Sequence, residues 1–157
     1  EYYPDTKLAQ LLYQQQVRDL QILACYIANP DDVVFSEEVF WSEGILNGEM
    51  AEQVSYLIAK SSDHHLFVEK WLQSTDPNRQ YCALLIAAKN SSAENLHAVA
   101  HYVSNGFDGD FQQIRVLATI ISKHHKTEQI KPVLNMIRLS DNATHKLLNE
   151  EIYILDE

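Results

Sequence analysis

Apolar residues along this chain recur three and four positions apart, in segment after segment. Leu20, Leu23, Ala24 and Ile27 show the spacing, and Leu96, Val99, Ala100 and Val103 repeat it. Ile114, Leu117, Ala118 and Ile121, then Ile130, Val133, Leu134 and Ile137, carry it toward the C-terminus. At 3.6 residues per turn such a set lines one side of a helix, so each predicts an amphipathic helix with one buried face. Apolar–polar alternation, the sign of a half-buried strand, is hardly present. The punctuation agrees: glycine occurs only at 44, 48, 106 and 109, and the prolines fall near segment ends (Pro4, Pro30, Pro77) or in an early helical turn (Pro132). The expected fold class is all-α.

Ten helices fit, as five pairs: roughly 6–15 with 17–28, 35–45 with 48–61, 64–74 with 77–89, 92–104 with 110–124, and 128–138 with 142–155. The second helix of each pair opens its apolar set near Leu20, Ala51, Tyr81, Ile114 and Leu147, a recurrence of about 30 to 33 residues. A fixed period of that size predicts stacked helical hairpins. The stretch "STDPNRQYCALLIAAK" shows one junction: Asp76 caps, Pro77 suits the first helical position, and Tyr81, Leu84, Leu85 and Ala88 then share a face. An aspartate–proline turn followed by arginine and an alanine-rich helix is HEAT-like, whereas tetratricopeptide and ankyrin consensus residues are absent. The expected architecture is an α-α superhelix of about five HEAT-like helical hairpins, armadillo-type, with a concave wall made by the second helices.

A chain of 157 residues, 46% of them hydrophobic, predicts a single folded domain over 1–157 rather than disorder. It begins at Glu1 rather than Met, which suggests a processed chain or part of something longer. Cys25 and Cys82 lie far apart in segments that read as buried helix, which suits core residues in a reducing compartment, with cytoplasm the default. No apolar run approaches the roughly 18 residues of a membrane span, and no membrane partner or cofactor is expected. Net charge is −10, which opposes nonspecific attraction to phosphate. Its distribution is uneven. Residues 19–59 carry eight carboxylates and no lysine or arginine, whereas residues 60–146 carry ten bases against eight acids. Any anion-binding surface is therefore expected in the later part, and the tail from Glu150 to Glu157 is acidic again.

The segment "LYQQQVRDLQILACYIANPDDVVFSEEVFWSEGILNGEMAEQV", residues 12–54, resembles the DNA alkylation repair family of HEAT-like, AlkD-type alkylpurine DNA glycosylases. Leu12-Tyr13, Asp19, Ile22-Leu23-Ala24, Pro30 and Trp41 follow that family's order of leucine–aromatic, acid, "ILA", proline-led turn and tryptophan. "KWLQSTDPNRQYCALLIAA" is similar to its next repeat, with Trp71 ahead of Arg79. The resemblance covers most of the chain and weakens after about residue 105. It implies that one or two helices precede residue 1. It also implies a concave site in which a carboxylate stabilises an oxocarbenium-like sugar while two tryptophans contact deoxyribose. Carried over by position, the first tryptophan falls on Gly48, the carboxylate on Glu52 and the second tryptophan near Thr119, so only the acid remains. Glutamate is one methylene longer than aspartate, and a misplacement of about 1 Å can cost on the order of a hundredfold in rate. Without aromatic walls the acid also lacks the desolvated setting that gives a charge its leverage.

Glu52 is thus the candidate catalytic residue, weighed against the plainer reading of a solvated helix carboxylate. Arg18, Arg79, Lys89, Arg115 and Lys123 lie on second helices and are the candidate nucleic-acid contacts. Such arginines also serve in HEAT-like repeats to bind caps and neighbouring repeats. Glu94, His97 and His101 have a spacing that suits zinc, but no further Cys or His is placed to complete a shell, so no metal site is expected. His64-His65 and His124-His125 read as helix-terminus residues, and Trp41 and Trp71 as packing between repeats. Three functions follow: a non-catalytic binder of nucleic acid or protein through the concave face; an active alkylpurine DNA glycosylase using Glu52; and a protein-interaction scaffold whose acidic stretch attracts a basic partner. The corresponding partners are duplex DNA or a basic protein.

Overall fold

A computed structural model describes residues 3–156, so Glu1, Tyr2 and Glu157 lie outside it. Among the described residues there are ten α-helices and no strand. Several helices begin where a short polar side chain accepts from a free backbone N–H. Asp5 caps α1 (Thr6–Tyr13), Asn47 caps α4 (Gly48–Ile58) and Asp76 caps α6 (Pro77–Lys89). Ser92 caps α7 (Ala93–Ser104) and Asp110 caps α8 (Phe111–His124). Each such cap satisfies a donor the helix itself cannot, typically worth about 1 kcal/mol.

Several boundaries differ from the periodic expectation; α4, for one, ends at Ile58, and α5 spans His64–Leu72. α1 stops at Tyr13 because Gln16 adopts a left-handed φ of 53°, which a helix cannot contain. The helix expected from residue 35 opens as a 3₁₀ turn, Phe35–Glu37, leaving α3 as Glu38–Glu43. α9 begins at Lys131 rather than 128, because Pro132 lacks an amide hydrogen and is accommodated only in a first turn.

Contacts group the chain into two compact units, Glu1–Asn90 and Ser91–Glu157, where length alone suggests one domain. In the first unit α1 packs on α2 (Arg18–Ile27), and α5 (His64–Leu72) packs on α6. α2, α4 and α6 lie side by side as one layer of second helices, the stacking that the 30-residue period predicts. The core of this unit holds Trp41, Phe67 and Trp71, all essentially inaccessible, so both tryptophans are packing residues. Tyr13 Oη donates to the Trp41 carbonyl at 2.7 Å, and its ring lies 5.0 Å from the indole. Gly44 is required there, because a Cβ on it would sit 2.1 Å from that same hydroxyl. Trp71 Nε1 donates to Glu38 at 2.5 Å, joining the third hairpin to the second.

The buried stripe of α2 is not the expected one. Gln21 and Ala24 are buried, together with Ala28 just past the helix, while Leu23 is 45% exposed. Both sets have helical spacing, and the one placed inside pairs two alanines with the amide side chain of Gln21. In the second unit α7 packs on α9 (Lys131–Leu139), and α10 (Ala143–Asp156) packs on both α8 and α9. Its core follows the expected faces: Val99, Val103, Ile114, Leu117, Ile121, Ile130 and Ile137 are all buried. No helix among the described residues is long and apolar enough to cross a membrane.

Candidate functional site

α4 opens at Gly48 behind the Asn47 cap, which sets Glu49 in its first turn and Glu52 on the exposed side. Arg18, the first residue of α2, reaches Glu49 through two parallel hydrogen bonds, Nε to Oε2 at 2.7 Å and Nη2 to Oε1 at 2.5 Å. Its Nη1 donates to Asp19 at 2.6 Å. This planar fork is the geometry arginine makes with a carboxylate. The hydrogen bonds to Glu49 and Asp19 push the Arg18 guanidinium up, and the same contact holds the Glu49 carboxyl below its ordinary range. Both side chains remain solvent-accessible, so the pair fixes geometry more than it stabilises the fold.

Glu52 faces the next helix, where Tyr81 Oη on α6 donates to its Oε1 at 3.4 Å, a long hydrogen bond. The expectation that Glu52 had lost all aromatic company is therefore corrected: a phenol from the following repeat touches it, in place of an indole on its own helix. The setting is nonetheless open, since both Glu52 and the contact are exposed. One turn further along α4, the Tyr56 ring centroid lies 4.4 Å from the Lys89 ammonium. Burial pushes Lys89 down from the usual lysine range, opposed by Cys82 and by the negative charge of Glu52. Arg79 turns back to Asp76 at 3.5 Å, an ionic contact within its own helix start. In this layer, then, Arg18, Arg79 and Lys89 each face a group of their own chain.

The second unit presents a different surface. Phe111, Arg115, Thr119 and Lys123 stand four residues apart on α8, and all are exposed. Arg115 lies 5.9 Å from the Phe111 ring centroid, and the Thr119 hydroxyl donates to the Arg115 carbonyl at 2.9 Å. His97 and His101 are exposed, with His101 beside Asn105 at 2.7 Å. No group of three or more His, Cys, Asp or Glu side chains suited to a metal occurs among the described residues. Burial pushes the Cys25 thiol up to about 12 and Cys82 well above its ordinary value, so both are protonated at neutral pH and poor nucleophiles.

The sequence places Tyr81 on the apolar face of its helix rather than beside Glu52, and it singles out neither Tyr56 nor the pairing of Arg18 with Glu49. A signal for one existed: Tyr26 and Tyr56 are one repeat period apart on successive second helices. Comparison of the chain with protein-family models, with curated proteins and with solved structures finds no match.

Proposed function

We propose that this chain is a non-catalytic helical-hairpin binding protein, a divergent relative of the HEAT-like alkylpurine glycosylases, whose layer of α2, α4 and α6 docks a basic protein segment. The observation that carries this reading is the internal use of the layer's cations. Arg18 is held by Glu49 and Asp19, Arg79 faces Asp76, and Lys89 covers the Tyr56 ring. Phosphate binding here would have to break contacts already made. The whole first unit supports the same choice, with thirteen Asp and Glu against six Lys and Arg. Such a field repels a polyanion and draws a cation. Glu52 sits in open solvent beside one long hydrogen bond, without the enclosed, preorganised environment in which a carboxylate stabilises a developing cation. Calorimetric titration with a lysine- and arginine-rich peptide tests the reading. Saturable binding at low salt that fades at high salt is expected, and no heat at low salt would refute it.

A second reading rests on α8. Arg115 and Lys123 project from one exposed line of the second unit, which supports contact with nucleic-acid phosphates there. Titration of duplex DNA at low salt tests it, and unchanged binding in Arg115→Gln/Lys123→Gln would exclude that surface.

A further inference from the structure

The first unit contains a cavity of about 300 Å³ between α2 and α4 that none of the candidate residues above explains. Its lining includes Cys25 and Tyr26 from α2, Gln53, Tyr56 and Leu57 from α4, and Lys60 just beyond that helix. Three features of this lining select a ligand class. The volume lies at the lower end of ligand pockets, about 300–1,000 Å³, which suits one or two rings. Two tyrosines from neighbouring helices supply aromatic surface, although each is more than half exposed at 66% and 58%. Tyr56 lines the cavity with the Lys89 ammonium already 4.4 Å from its ring centroid, a charge that disfavours a cationic ligand there.

Charge completes the selection. Among the described residues no carboxylate lines the cavity, although it lies in the most acidic part of the chain, and Lys60 is the first base after the acid-only stretch. A small monoanion can therefore meet a local cation here, whereas a polyanion is repelled by the unit as a whole. We propose that this cavity is a binding site for a small planar aromatic carboxylate, its ring against Tyr56 and Tyr26 and its carboxylate on the Lys60 ammonium. Gln53 offers a side-chain amide to the same group. The site does not depend on the docking of a basic segment and is tested without one.

The probes are 4-hydroxybenzoate and indole-3-acetate, each compared with its neutral amide, titrated into the whole chain and followed by tyrosine ring resonances. The carboxylates should bind about tenfold more tightly than the amides, the effect of one charge-assisted hydrogen bond. Lys60→Gln should erase that difference, and Tyr56→Leu should weaken acid and amide together. Both side chains are exposed, so neither change threatens the fold. The proposal is overturned by an absence of saturable binding, by equal affinity for acid and amide, or by binding that both variants leave unchanged.

Discussion

Arg18 and Glu49, 31 residues apart, grip each other across α2 and α4 through two parallel hydrogen bonds. The contact pins the first turns of two successive second helices. It also separates the two acids of α4: Glu49 is an arginine's partner, and Glu52 stands apart from it beside Tyr81.

The pair predicts an acid-dependent term in stability. The folded-state pKa of Glu49 is depressed, so its contribution is present above the unfolded value, about 4.3 for glutamate. That contribution is lost as pH falls through the lower folded value. Urea midpoints of wild type and Arg18→Gln should therefore differ slightly near neutral pH and converge in acid. A gap that widens on acidification would contradict the assignment.

Close approach at two glycines predicts larger losses. Gly44→Ala would drive a Cβ into Tyr13 at 2.1 Å, and Gly109→Ala would meet Phe107 at 2.1 Å. Each should cost about 1–3 kcal/mol, the usual penalty for overpacking a fitted site. Tyr13→Phe should cost about the same by orphaning the buried Trp41 carbonyl. Chemical denaturation reads all three, and neutral outcomes would show that these contacts relax freely.

How much of this was legible in advance differs by element. α6 appears at residues 77–89 as expected, because Asp76 and Pro77 are start signals with a mechanism. The buried faces of α8 and α9 were equally readable, since their apolar sets have no rival. On α2 two sets share helical spacing, and only the neighbouring helices decide which turns inward. The Arg18–Glu49 and Glu52–Tyr81 contacts join polar residues of different repeats, 31 and 29 positions apart, which no periodicity within one helix reveals. The family resemblance places aromatic partners for Glu52 at Gly48 and Thr119, whereas its aromatic neighbour comes from the next helix.

The open setting of Glu52 predicts no excision chemistry. Alkylated duplex DNA incubated with the wild type should lose methylpurines no faster than spontaneously, and Glu52→Gln should match it. Release by wild type that disappears in Glu52→Gln would restore the glycosylase reading.

If DNA binds at all, the α8 line should carry it. Replacing Arg115 and Lys123 together by glutamine should lower the slope of log affinity against log salt by about two, one per lost phosphate contact. Arg18→Gln should leave that slope alone, because its guanidinium is already engaged by Glu49.

The central claim, that the acidic layer of the first unit takes a basic protein segment, is tested most directly by side-by-side fluorescence anisotropy at low salt. A labelled lysine- and arginine-rich peptide and a labelled DNA duplex are titrated with wild type and with Glu52→Lys. The account predicts that the peptide binds wild type more tightly than the duplex does and loses affinity to Glu52→Lys. Tighter binding of the duplex, or peptide affinity unmoved by the reversal of charge at Glu52, would contradict it.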